Sequence, residues 1–148
     1  MRHAFTMIEL IFVIVILGIL AAVAIPKLSA TRNDAKVSKT AHMIAAAANE
    51  IASYAVSKGT IQNDLSLMSN SVEALANTGQ ATLQDKEVWF HMGDENQCLQ
   101  FVINDGDLDA NLSLTLNELS PDTLCNELIN MFDKSDYPIP LKGRRVRE

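Results

Sequence analysis

The stretch that decides the fold is FTMIELIFVIVILGILAAVAIP, residues 5–26. Its residues 10–25 are sixteen consecutive residues without a charge and are rich in Ile, Val and Leu. Water is a poor solvent for any conformation that exposes such a run, so the stretch needs a bilayer or a bundle of helices around it. As a helix, the 21 residues from 5 to 25 span about 31 Å, which is about one hydrocarbon core. The sequence therefore predicts a helix long enough to cross a membrane.

Glu9 is the one charged residue inside this stretch. An acidic side chain at mid-membrane costs about 3 kcal/mol on insertion scales, and somewhat less toward the end of the span, so it requires a partner. The nearest candidate is an amine, because Phe5 lies one helical turn away and cleavage before it would create a cationic amino group. Pairing with that amine, within one helix or between neighbours, would remove most of the desolvation cost. Glu9 is thus predicted to be functional.

With these residues in place, MRHA followed by FTMIELIFVIVILGILAAVAIP resembles the N-terminus of bacterial type IV prepilins and type II secretion pseudopilins. In that family a short basic leader is cut before a Phe-Thr-(Leu/Met)-Ile-Glu run. The resemblance implies cleavage between Ala4 and Phe5, N-methylation of Phe5, filament assembly through Glu9 and a helix kink at Pro26. The family has Gly before the cut, and Ala4 departs from that pattern. The motif covers about the first 30 residues, and beyond it the resemblance is one of layout.

The resemblance also implies an architecture and a set of partners. The fold class is α+β and pilin-like, with a long N-terminal helix, transmembrane in its N-terminal half, packed on a small antiparallel sheet. The implied divisions are a leader (1–4), a transmembrane and assembly helix (5–26), an amphipathic helix continuing into the head (27–58) and a globular head (59–148). The implied partners are other pilins or pseudopilins including further copies of this chain, prepilin peptidase and methylase, the inner-membrane assembly platform and inner-membrane lipid. No cofactor is expected.

Two alternatives explain the apolar stretch without that family. A plain single-span anchor accounts for the hydrophobicity but not for Glu9. A secretory signal peptide has Arg2 and His3 as its basic region and Ala22-Val23-Ala24 as a cleavage site. Glu9 interrupts its apolar core, however, and the helical pattern continues past the supposed cut. The first residue of the mature protein distinguishes the two hypotheses: a signal peptide predicts Ile25, and the prepilin family predicts Phe5.

Charge is spread unevenly along the 148 residues, whose formal net charge is -6. Residues 60–136 contain fourteen Asp or Glu but only two lysines, Lys86 and Lys134. This excess of negative charge argues against broad nucleic-acid binding by this part of the chain. Lys27, Arg32 and two further lysines follow the span, so the positive-inside rule alone would place its C-terminal side in the cytoplasm. The family resemblance implies the opposite: a single-pass protein of the bacterial inner membrane with its head in the periplasm, later part of a pilus or pseudopilus.

The remaining chain has the patterns of one small α+β head. An amphipathic helix is predicted over residues 27–58, with Gly59 ending it. Its apolar residues are spaced alternately by four and three positions: Val37, Ala41, Ile44, Ala48, Ile51 and Ala55. A short helix is predicted at 64–78, antiparallel strands at 87–92, 98–104 and 111–117, and a helix over 121–132 begun by Ser120 and Pro121. One sheet face is expected to pack on the long helix: Trp89, Leu99, Phe101, Ile103, Leu112, Leu114 and Leu116.

Cys98 and Cys125 are the only cysteines. In an exported domain a disulfide between them is expected, and it would stabilise the small head by about 3 kcal/mol. The alternative is two buried free thiols. His91 near Cys98 on adjacent strands suggests a nucleophile pair, but no third orienting group is identifiable, so we predict that the protein is not an enzyme.

Two charged segments remain. Asp105, Asp107 and Asp109 are similar to a calcium loop, but Ala110 and Leu116 stand where an EF-hand needs glycine and glutamate, so an acidic turn without metal is predicted. The basic end of the chain, which holds Lys142, Arg144, Arg145 and Arg147, has no interleaved aromatic residues. It is weak evidence for DNA binding, and docking on the acidic head of a neighbouring subunit is at least as well supported.

The predicted function is that of a structural subunit of a type IV pilus or a type II secretion-like pseudopilus. On that reading, prepilin peptidase cleaves the chain, which is then assembled into a helical filament through its N-terminal helix. The alternative is a low-abundance, minor pilin-like protein at the tip that binds DNA or an exported substrate. The sequence does not distinguish a type IV pilus, a type II secretion system and a DNA-uptake machine.

Overall fold

The computed structural model describes residues 5–106 and 109–142. The chain divides into two units, residues 1–36 and residues 37–148. One helix, α1 (Met7–Lys58), contributes to both. The remaining elements of regular structure all belong to the second unit.

The first unit contains the N-terminal part of α1, which begins at Met7 and includes Pro26 in its interior. A proline there removes one backbone donor and crowds the preceding turn, yet the strongly apolar flanks keep the helix continuous through it. This continuity was predicted. The bend expected at Pro26 stays a prediction.

In the second unit, α1 packs on the sheet through a narrow apolar seam. All six residues of the predicted four-and-three pattern are buried, and Ala47 and Thr40 are buried beside them. Ile44 and Ile51 are fully inaccessible to solvent and form the centre of the seam. The helix ends at Lys58, and Gly59 follows with φ of 68° and donates its N–H to the Ala55 carbonyl, as predicted for a glycine stop.

The sheet has five strands in sequential antiparallel order: β1 (Ala81–Gln84), β2 (Glu87–Met92), β3 (Glu95–Asp105), β4 (Ala110–Leu116) and β5 (Ile139–Pro140). The three-stranded antiparallel meander that the sequence predicts is its centre. The β2–β3 loop is shorter than expected, with only Gly93 and Asp94 between the strands. Gly93 has φ of 64°, which suits the first position of a two-residue hairpin loop.

Trp89 does not lie on the face that the sequence predicted for it. It pairs with Gln100, whereas Val88 pairs with Phe101 and Phe90 with Leu99. Because paired residues of antiparallel strands point to the same face, Val88 and Phe90 share the core face with Phe101. Both are fully buried, and the Phe90 and Phe101 rings meet edge to face at 5.3 Å between centroids.

The two outer strands were not predicted, and both helices of the head are shorter than predicted. The expected helix over 64–78 is a 3-10 turn (Leu65–Leu67) followed by α2 (Asn70–Asn77), because Ser69 accepts a hydrogen bond from the Val72 N–H and caps a new helix. The expected helix over 121–132 is α3 (Thr123–Ile129). Its N-cap is Asp122 rather than Ser120, since the Asp122 carboxylate accepts from the Leu124 and Cys125 N–H groups.

Glu50 ties α1 to the start of α2. Its carboxylate accepts hydrogen bonds from the Ser69 hydroxyl at 2.6 Å and from the Ser71 N–H and hydroxyl at 3.0 Å. Partial burial of the carboxylate raises the pKa of Glu50, but the hydrogen bonds from Ser69 and Ser71 outweigh it and hold that pKa below its ordinary value. The ionised form of Glu50 is therefore the one that stabilises this junction.

We expect Glu50→Gln to lower the free energy of unfolding at pH 7. A carboxyl group with a depressed folded-state pKa stabilises the fold above its unfolded pKa, and this contribution is lost as the pH falls through the folded pKa. The difference between Glu50→Gln and the parent should therefore shrink below about pH 4.5, the ordinary pKa of the group. Urea unfolding of the full chain in detergent, at pH 7 and at stepwise lower pH, measures it.

Glu73→Gln is the matched control, because Glu73 is an exposed carboxylate of α2. It should leave the pH dependence of unfolding close to that of the parent. Equal losses in the Glu50 and Glu73 variants at every pH would contradict the role given to Glu50.

Candidate functional site

Glu9 closes a capping box at the start of α1. Its Oε2 accepts hydrogen bonds from the Thr6 N–H at 2.8 Å and from the Thr6 hydroxyl at 2.6 Å. The Thr6 hydroxyl oxygen accepts in turn from the Glu9 N–H at 3.4 Å, a long contact. With α1 beginning at Met7, Thr6 is the N-cap residue and Glu9 the third residue of the helix, which is the reciprocal arrangement of a capping box.

The sequence analysis missed this partner of Glu9, although the signal was present as Thr6-Met7-Ile8-Glu9. A Ser or Thr followed three residues later by Glu before an apolar run is the usual mark of a capped helix start. Within residues 5–106 and 109–142, the Glu9 carboxylate accepts hydrogen bonds only through Oε2. Oε1 therefore keeps its capacity to accept a bond from a donor outside this part of the chain.

The apolar surface that follows Glu9 is uncovered. In the part of the chain that the structure describes, one helix, α1, is long and apolar enough to cross a membrane, and none of its apolar stretch near the N-terminus is buried. Large side chains are exposed from Phe5, which is 82% accessible, through Phe12 at 67% to Ile25 at 66%. A water-soluble domain rarely exposes a continuous apolar surface of this extent, so we expect this segment to be covered by a membrane or by another protein.

The other predicted residues of the N-terminal motif are less informative. Phe5 lies just before α1 and is exposed, and Pro26 lies inside α1. Ala4, the residue expected before the cleaved bond, is outside the described residues. Cleavage, methylation and the role of Glu9 in assembly stay predictions.

The head contains the expected disulfide between Cys98 and Cys125. Both residues are fully buried, and their Cα atoms are 5.4 Å apart, a normal separation for a bridge. The Asp122 carboxylate, which caps α3 just before Cys125, also accepts from the Asp94 N–H at 2.9 Å. The disulfide and Asp122 together hold α3 to β3 and to the β2–β3 loop.

The predicted acidic turn carries counterions where the structure describes it. Asp105 accepts from Lys142 at 3.0 Å and from Lys86 at 3.5 Å. The hydrogen bond from Lys142, and then the one from Lys86, hold the pKa of Asp105 below its usual range despite slight burial. Asp107 and the arginines after Lys142 lie outside the described residues. Among residues 5–106 and 109–142, no group of three or more His, Cys, Asp or Glu is placed to hold a metal ion.

His91 and Cys98 do not form a nucleophile pair. Cys98 is bonded to Cys125 and has no free thiol, while His91 Nε2 shares a hydrogen bond with the Thr82 hydroxyl at 2.7 Å. His91 lies where the β2–β3 register shifts between Phe90 and Met92. The His91–Cys98 pair considered from the sequence therefore lacks a free thiol as nucleophile, and the His91 Nε2 atom is bonded to Thr82 instead of Cys98.

Comparison with known proteins identifies the N-terminal segment. Residues 1–25 match the family model described as the prokaryotic N-terminal methylation motif, which is the prepilin-type signal of type IV pilins and pseudopilins. No curated protein and no solved structure matches the chain. The motif and the α+β fold together support a protein similar to type IV pilins and pseudopilins, of a structural rather than an enzymatic kind. They imply processing by prepilin peptidase and polymerisation with pilins.

We expect alkylation of the denatured, non-reduced protein to label neither cysteine, since Cys98 and Cys125 are bonded. Replacing both by Ala should lower the free energy of unfolding by about 3 to 4 kcal/mol, because the bridge closes a long loop in the unfolded chain. Urea unfolding of the full chain in detergent measures the loss. Reduced parent protein is the control and should fall by a similar amount. Labelling of both thiols without reduction would contradict the structure.

Proposed function

We propose that the chain is a structural subunit of a type IV pilus or a type II secretion-like pseudopilus. Prepilin peptidase cuts the Ala4–Phe5 bond and the new amino group of Phe5 is methylated. The apolar helix holds the protein in the bacterial inner membrane with its head in the periplasm. The assembly platform then transfers the helix from lipid into the core of a helical filament.

The observation that carries this proposal is the state of Glu9. An ionisable side chain next to an exposed apolar helix surface is costly in lipid unless it is paired, and it also needs a partner in a core of packed helices. The Thr6 N–H and hydroxyl satisfy one carboxylate oxygen from within the same chain. The second oxygen has no donor among the described residues, so the carboxylate has a capacity that its own helix does not use.

A cationic amine is the partner that suits this oxygen. It neutralises the charge and donates a charge-assisted hydrogen bond, which a lipid tail cannot do. Cleavage before Phe5 creates such an amine at the start of every copy. Pairing between Glu9 of one copy and the Phe5 amine of another would fix the axial register of neighbouring helices while removing an unpaired charge from an apolar core.

Two features of the head support the proposed location. The Cys98–Cys125 disulfide is typical of proteins that fold in an oxidising compartment, such as the periplasm. The second unit also has its own buried core and does not depend on the apolar segment for it. A subunit that moves from membrane to filament needs a head of this kind, because its environment changes only around the N-terminal helix.

Glu9→Leu should separate membrane insertion from assembly. Removing the charge eases insertion by up to about 3 kcal/mol, so the variant should be present in the membrane fraction at parental levels or above. Each incoming Phe5 amine would then enter the filament core without a partner, a penalty of about 3 to 5 kcal/mol per subunit. We expect no filaments in sheared surface fractions or in electron micrographs of cells that produce only this variant.

Glu9→Gln is the matched variant, since Gln at this position preserves the capping box but carries no charge. The proposal predicts that it, too, inserts without assembling. Normal filaments from Glu9→Gln would mean that Glu9 acts only as a cap. Loss of either variant from the membrane fraction would mean that Glu9 is needed for the subunit's own stability.

A further inference from the structure

A groove of about 420 Å³ lies in the head between α1 and the segment that follows α3. Its floor is made of small side chains of α1, among them Ala41, Ala45 and Ala48. Its opposite wall is aromatic, from Phe132 and Tyr137, both of which are half-buried. Ala45 is exposed in the groove.

The polar rim of this groove is acidic. Asp133 and Asp136 line it and are exposed, and His42 and Asn49 of α1 lie across from them. Lys134 lies between the two aspartates in sequence, but its ammonium group is paired with Glu118 and lines a neighbouring groove. Among the described residues that line the groove, there are two carboxylates and no Lys or Arg.

Residues 143–148, GRRVRE, have the chemistry that such a groove would accept. They carry three arginines against one glutamate and lie outside the described part of the chain. A guanidinium group pairs with carboxylates and stacks on the faces of aromatic rings, so it matches both the rim and the wall. The single apolar side chain, Val146, suits the alanine floor.

The last described residues of the chain lead away from the groove of their own head. Ile139 lines the groove, and β5 then runs antiparallel to β4 until the Leu141 N–H donates to the Ala110 carbonyl. Lys142 is fixed at the β3–β4 hairpin by Asp105 and by the Gly106 carbonyl. Lys142, the last described residue, therefore lies at that hairpin and does not line the groove of its own head.

We propose that the groove formed by Ala41, Ala45, Phe132, Asp133, Asp136 and Tyr137 binds the arginine-rich segment 143–148 of a second copy of this chain. The contact adds a head-to-head interaction to assembly through the N-terminal helices and so rests on the proposed function for its biological role. It requires neither cleavage nor filament formation to occur, since both surfaces belong to the head.

Binding is measured with a fluorescent peptide of residues 143–148, with blocked ends, added to the full chain in detergent. The receptor carries Arg144→Gln, Arg145→Gln and Arg147→Gln, so that its own segment does not compete. Asp133→Asn with Asp136→Asn should weaken binding about tenfold at low salt, as expected for the loss of two exposed charge pairs. These changes keep the side-chain oxygen of Asp133 that caps the 3-10 turn (Lys134–Asp136).

Two controls separate the groove from general charge attraction. Asp85→Asn removes an exposed carboxylate outside the groove and should leave the affinity unchanged. A peptide with three lysines in place of the arginines keeps the charge but loses ring stacking, and should bind about threefold more weakly. No binding of the peptide, or equal binding to the groove variant and the Asp85→Asn control, would overturn the proposal.

Cross-linking in cells tests whether the segment reaches a second copy. One full-length copy carries p-benzoylphenylalanine at Val146 together with Asp133→Asn and Asp136→Asn, and a co-expressed tagged copy has an intact groove. Light should join the two copies, with the tagged copy modified within residues 131–139. Cross-links confined to the untagged copy would overturn the assignment to a second copy. Either failure leaves the Glu9 variants as an independent measure of the proposed function.

Discussion

The constraint on which the rest of this protein depends is that its apolar N-terminal segment has no cover of its own. The side chains from Phe5 to Ile25 are exposed, and all but Phe5 and Thr6 lie in α1. Only a bilayer or the helices of other subunits supply an apolar surrounding for such a surface. Glu9 makes the requirement specific, because lipid surrounds the segment without neutralising the carboxylate, whereas under the proposed function the Phe5 amine of a cleaved neighbour would neutralise it.

The surface of α1 therefore differs between its N-terminal and C-terminal parts. Up to Lys36 it is apolar or charged without a buried stripe, and from Val37 to Ala55 it has a narrow seam that packs on a five-stranded sheet. The head is small, and its edges are fastened by specific polar contacts and one covalent bond. Glu50 joins α1 to α2, and the Cys98–Cys125 bridge joins α3 to the sheet. These ties stabilise the head through contacts that do not involve residues 5–36.

Local periodicity predicted the long helix, its seam and the three central strands, because each is set by side chains a few residues apart. It failed where distant partners decide. Trp89 fits a buried position by alternation, but the register with β3 places it opposite Gln100 on the other face. The two-residue strand β5 is defined by its pairing with the edge of β4. Ile139 and Pro140 are too few to show the alternating pattern of a strand in the sequence. At the candidate site, the charge of Glu9 inside an apolar run was visible in the sequence, and its role in assembly stays a prediction. Its bond to Thr6 was present in the sequence as a capping pattern and was overlooked.

The central claim is that residues 5–26 are a processed assembly segment and neither a permanent anchor nor a removed signal peptide. The mass of the N-terminal peptide of the mature protein, purified from membranes of its bacterial host, tests this most directly. The account predicts a chain that begins at Phe5 and carries one additional methyl group on its amine. A chain that begins at Met1 or at Ile25 would contradict it.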